Sequence, residues 1–183
     1  MKKLILIIAA MACYLAVNAQ ADLYANHETV AGNNVIYRVY NFPNGYDISN
    51  ITNTRDKAPL RLLDGSLAPP PFEQYKASFV GGDMRPVRNA ILHEVFTQSQ
   101  IDAFITADET LILRFVVSRS GNIEEIKFGF SKIPAMYSIP PDTWYSLETK
   151  IKERFKYNVS PKGQTVQFLA GVYFWSFKYL QGL

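Results

Sequence analysis

Thiol chemistry has almost nothing to work with in this sequence. Its 183 residues include one cysteine, Cys13, and two histidines, His27 and His93. Cys13 sits inside the apolar start, so beyond it there is no residue for a disulfide, a thiolate nucleophile or a cysteine-ligated metal. Charge of one sign is equally scarce. Lys+Arg number 19 against 16 Asp+Glu, a formal +3, and setting aside residues 1–21, which carry Lys2 and Lys3 and no acid, leaves +1. A near-neutral chain is neither a dedicated nucleic-acid binder nor an acidic disordered tail. Collagen-like, coiled-coil and low-complexity patterns are missing, and so are G-x-S-x-G, H-E-x-x-H and phosphate-loop motifs. What is plentiful is apolar: 48% hydrophobic and 14% aromatic residues suffice for a packed core.

The start has the three-part layout of a secretory signal peptide. Met1-Lys2-Lys3 is basic, Leu4 to Val17 is apolar, and the small-residue sites Val17-Asn18-Ala19 and Ala19-Gln20-Ala21 follow. The apolar run is shorter than the ~20 residues of a comfortable bilayer crossing. The expectation is cleavage after Ala19 or Ala21 and a periplasmic or secreted protein; an uncleaved anchor, the alternative, would tether it to the inner membrane. A lipoprotein signal would place a branched residue three positions before the cysteine, and Ala10 stands there, which argues against acylation of Cys13.

Beyond residue 21 the pattern divides the chain. Val35 to Phe42 reads as a strand with Val35, Tyr37 and Val39 on one face, and Pro43-Asn44-Gly45 as a turn. Tyr46 to Thr54 and Lys57 to Leu63 read as further short strands, so residues 22–63 form a β-rich extension. Leu67-Ala68-Pro69-Pro70-Pro71 interrupts regular structure, and residues 64–76 read as a linker. The main domain then spans 77–183. Pro86 opens a helix in which Val87, Ile91 and Val95 recur four apart. Gln98 to Thr106 is ambiguous by pattern and is taken as a second short helix. Leu111 to Val117 and Ile123 to Phe130 alternate as strands around a Ser120-Gly121-Asn122 turn, giving a hairpin with one buried face. Pro140-Pro141-Asp142 opens another helix, with Asp142 or Thr143 as N-cap and Trp144, Leu147, Ile151 and Phe155 on its apolar side. Gln164 to Leu180 reads as one long aromatic strand, apolar on both faces.

The order helix, hairpin, helix, long strand resembles the C-terminal domain of TonB-like energy-transducing proteins over about residues 77–180. Phe79-Val80-Gly81-Gly82 is similar to that family's lead-in to the first helix. Leu113 to Ile123 is similar to its strand, turn and strand, and Pro161 to Val166 to its approach to the last strand. The transducer's membrane helix and Pro-rich spacer have no counterpart, so the resemblance implies the fold and not the energy-transducing role. The implied fold is α+β: a three-stranded antiparallel sheet with two helices, preceded by the β-rich extension.

No candidate for chemistry stands out. His93-Glu94 is one adjacent pair without a zinc ligand set, Asp83 after Gly81-Gly82 reads as the turn into a helix, and Glu124-Glu125 point to opposite strand faces. No catalytic, cofactor-binding or metal residue is assigned. Tyr173 to Phe177 is explained by burial alone, or one edge of that strand accepts an extended peptide. In the TonB-like family the last strand does this for a segment of outer-membrane receptors, and the resemblance singles out Gln164, Val166, Phe168, Ala170 and Val172 as the edge. The expected function is non-enzymatic binding of an unknown envelope protein or peptide. A small-ligand protein or enzyme with a helix–sheet pocket near Trp144 and Tyr145, and a homodimerising structural protein, are the alternatives.

Overall fold

The computed structural model describes residues 21–55 and 58–180. Residues 1–20 of the expected 1–21 signal peptide, Cys13 included, lie outside the described residues.

Alternation sets the strands. β1 (Thr29–Ala31), β2 (Ile36–Phe42), β3 (Gly45–Asn50), β5 (Thr110–Val117), β6 (Ile123–Ser131) and β8 (Leu169–Ser176) form one antiparallel sheet in the order β1-β2-β3-β6-β5-β8. β4 (Ala77–Phe79) and β7 (Tyr157–Val159) pair as a second, two-stranded sheet. The strands of the large sheet send every second side chain to one face. Across it run the rows Val39–Ile48–Phe128–Leu113–Tyr173 and Tyr46–Phe130–Leu111–Trp175.

Four helices cover this apolar face or flank it: α1 (Arg85–Val95), α2 (Gln98–Thr106), α3 (Pro134–Tyr137) and α4 (Pro141–Arg154). Pro86 lies in the first turn of α1, and a Thr97–Gln100 capping box starts α2. The sequence left Gln98–Thr106 ambiguous because its apolar stripe is short; the reciprocal cap supplies what the stripe does not. Trp144 of α4 is fully buried, stacked on Phe130 at 4.9 Å and tilted over Phe128 at 5.3 Å. Phe96 meets its edge, and Phe104 and Phe177 complete the cluster. Tyr37 of β2 donates to the buried Glu148 of α4, whose other oxygen accepts from Lys152, so the first strands are tied to this helix.

Four expectations are corrected. The sheet has six strands, not three, with a second sheet beside it and four helices instead of two. The N-terminal strands are not an extension ahead of the fold, because β3 pairs with β6 from Gly45↔Ser131 to Ser49↔Lys127. A three-stranded sheet would have left the amides on that side of β6 unpaired and Tyr24, Tyr37 and Tyr46 without a core to enter. The long last strand is shorter than expected, because a 3-10 turn at Gly163–Thr165 and another at Phe177–Leu180 flank β8. The N-cap of α4 is Pro140, and Asp142 instead accepts from the backbone and side-chain nitrogens of Asn33.

Two outcomes follow from this packing. A Cβ on Gly171 would lie 2.5 Å from the Phe115 ring, which is held between Tyr157 at 5.6 Å and Tyr173 at 4.9 Å. Gly171→Val will therefore lower stability by about 1–3 kcal/mol, read as a lower urea midpoint at unchanged slope. Glu94 of α1 accepts from Arg154 and Lys150 of α4, and these bonds hold its carboxyl down at about 2. Because the folded value is depressed, the stability this triad adds is complete above the ordinary carboxylate range and disappears as pH falls toward about 2. Between about pH 6 and about pH 3 the wild type should lose more of its urea midpoint than Glu94→Gln.

Candidate functional site

The phase of the β5–β8 ladder decides which backbone groups of β8 are free. Just beyond β8, the Phe177 amide donates to the Glu109 carbonyl at 3.1 Å. Antiparallel hydrogen-bonded pairs recur every second residue, so Trp175–Leu111, Tyr173–Leu113 and Gly171–Phe115 are bonded pairs. The amides and carbonyls of Ala170, Val172, Phe174 and Ser176 then point away from β5, over the sheet's edge. β8 has β5 as its one strand neighbour, and among the described residues no hydrogen bond engages those outward groups.

Of the five residues expected on this edge, two lie on it. Ala170 and Val172 are exposed members of β8 with outward backbone groups. The other three precede it. Gln164 is exposed in the 3-10 turn, while Val166 and Phe168 are buried. Val166 bridges Leu62, and the Gln167 amide donates to Arg61, so residues 61–63 already cap the approach to β8. Phe174, 68% exposed, is the edge residue that sequence reasoning missed. Its signal was the alternation itself: Leu169, Gly171, Tyr173 and Trp175 turn inward, and Phe174 belongs to the opposite set.

A groove of about 700 Å³ runs beside this edge. Phe174 forms one wall, Asp83, Arg85, Pro86, Arg88 and Asn89 at the start of α1 form the other, and Tyr179, 72% exposed, closes an end. Asp83 accepts from the Arg85 side chain at 3.0 Å and from its backbone at 2.9 Å, and these bonds hold its carboxyl below the usual range. Arg88 is only 7% exposed, with Nε donating to Asn89 at 2.8 Å. One of its terminal nitrogens is buried with no hydrogen-bond partner among the described residues. Burial pulls its pKa below the ordinary arginine value.

A second cavity, about 300 Å³, lies on the sheet face that the helices leave uncovered. Its charges are spent internally. Asp47 binds Arg114 at 2.9 Å and Lys127 at 3.4 Å, through space that a Cβ on Gly129 would fill. The Glu125 carboxylate accepts the Thr54 and Arg55 amides, and Arg55 also pairs with Glu124. His27 and His93 are exposed and stand far apart in the chain, and no group of three metal-ligating side chains occurs among the described residues. Trp144, expected to line a ligand pocket, is core.

Residues 73–175 match the family described as Domain of unknown function (DUF5043). The chain belongs to the DUF5043 family. It is similar to the crystal structure of a DUF5043 family protein from Bacteroides uniformis ATCC 8492, solved at 1.85 Å resolution. The TM-score is 0.67 at 15% identity, over 85% of this chain and 88% of that one, a likeness of fold. A comparison with curated proteins gives no match. The TonB-like resemblance is thereby corrected: its helix–hairpin–helix–strand order is embedded in the six-stranded DUF5043 sheet, and no TonB-like family is found.

The ladder phase is directly checkable in this DUF5043 protein. Val172→Pro removes an outward amide and should leave the fold and urea midpoint nearly intact, since edge strands tolerate proline there. Tyr173→Pro removes an inward ladder bond to Leu113 and should destabilise by more than about 1 kcal/mol. Equal losses for the two variants would mean that the phase is wrong.

Proposed function

We propose that this protein binds an extended segment of another exported protein, without catalysis, by accepting it as an added strand along β8. The observation that carries the reading is the character of that edge. β8 is eight residues long, Leu-Ala-Gly-Val-Tyr-Phe-Trp-Ser, with no charge and no proline. Soluble proteins normally blunt such an edge with lysine, proline or a covering element, because its free amides template pairing. The opposite edge, β1, is three residues long and offers little ladder. In strand addition the backbone supplies the affinity, and flanking grooves select side chains. The groove between Phe174 and α1 suits that second task. Export is part of the proposal, on the signal-like start of the chain.

A library of random peptides about ten residues long, displayed and selected on the purified protein, tests this reading with β8 itself as the length guide. The expected result is enrichment of alternating apolar peptides that lose binding to Val172→Pro and retain it on Gln164→Ala, which alters only the capped approach. Absence of enriched peptides, or equal capture by Val172→Pro, overturns strand addition. Light scattering that shows a dimer dissolved by Val172→Pro would assign the edge to a second copy of the chain instead.

A further inference from the structure

We infer that the strand accepted by β8 carries an aspartate or glutamate whose carboxylate is bound by Arg88 in the groove between β8 and α1. The inference rests on the strand-addition reading, since it places the acid on the added strand.

A segment laid beside β8 occupies the groove itself, with Phe174 on one side and the first turn of α1 on the other. Side chains that it turns toward α1 meet Arg85, Arg88 and Asn89. The charges there are unequal in what they have left to give. Arg85 and Asp83 neutralise each other through contacts of 2.9 to 3.0 Å. Arg88 is more than nine-tenths buried, its Nε donates to a neutral amide at 2.8 Å, and Asp83 reaches it only through space, without a hydrogen bond among the described residues. The acid nearest along the same helix, Glu94, is taken by Lys150 and Arg154. A buried guanidinium with an unused terminal nitrogen is costly, and a carboxylate is the group whose fork geometry suits it. The exposed rings of Phe174 and Tyr179 at the rim favour an apolar neighbour to that acid.

The selected peptides themselves supply the test. Asp or Glu should be enriched at one position, and its replacement by Asn or Gln in the synthetic peptide should weaken binding about tenfold or more, with the protein untouched. Arg88→Lys, which keeps the charge and loses the fork, should cause a smaller loss, and added salt should weaken only the acidic peptide. Peptides that need the free β8 edge but bind equally well without an acid overturn this inference and leave strand addition standing. Acid-dependent binding that survives Val172→Pro overturns strand addition and, with it, the placement of the carboxylate. Failure of the library to yield any binder removes both.

Discussion

A strand's backbone groups face two ways, and β8 has a neighbour on one side only. β5 gives half its amides to β6 and the other half to β8, and the bond from Phe177 to Glu109 fixes which half of β8 is used. Everything at the candidate site descends from that phase. It turns Gly171, Tyr173 and Trp175 toward the aromatic core and leaves Val172 and Phe174 exposed, with Phe174 beside the groove. A shift of one residue would bury the exposed set and expose the core set, so the register is held by the whole hydrophobic layer beneath it.

The N-terminal hairpin matters because it uses up the other side. By pairing with β6 it converts what would be an edge into an interior strand, and the sheet then ends in a three-residue β1. The loop after β3 continues the work. Asn53 donates to Ser49 and to the Ile126 carbonyl, and residues 61–63 reach across to cap the turn before β8. Among the described residues, the large sheet is then left with β8 as the longer of its two outer strands. An edge left open while its surroundings are capped differs from an edge left open everywhere.

Much of the fold was legible from local pattern. The hairpin from Thr110 to Ser131 alternates cleanly, and the helix bearing Trp144 shows its stripe at spacings of three and four. What local pattern could not give was which strands meet. Nothing in Tyr46 to Asn50 says that its partner lies some eighty residues on, so the early strands read as an appendage and the order of later elements suggested a different family. The last strand was overextended for a related reason. Val166 and Phe168 are apolar and buried, as strand residues would be, but the segment holding them is packed under residues 61–63 and Arg55, not in the ladder. The groove was out of reach because it joins residues 83–89 to Phe174 and Tyr179 across the fold.

The uncovered face of the sheet sharpens the reading of that groove. It holds more charged side chains than the groove does, and a glance at charge alone would favour it as the binding surface. Yet Asp47 answers Arg114 and Lys127, and Glu125 is saturated by two backbone amides, so a ligand entering there would have to displace interactions already made. Breaking a buried pair costs more than leaving it alone. At the start of α1 the balance differs: the hydrogen bonds of Asp83 go to Arg85, and Arg88, which feels Asp83 only through space, keeps a buried terminal nitrogen without a hydrogen-bond partner among the described residues. Both spaces touch β8, the cavity at Ala170 to Val172 and the groove at Phe174, so charge and not nearness to the edge separates them. One segment lying in the groove would meet the outward amides of β8 and the Arg88 guanidinium together.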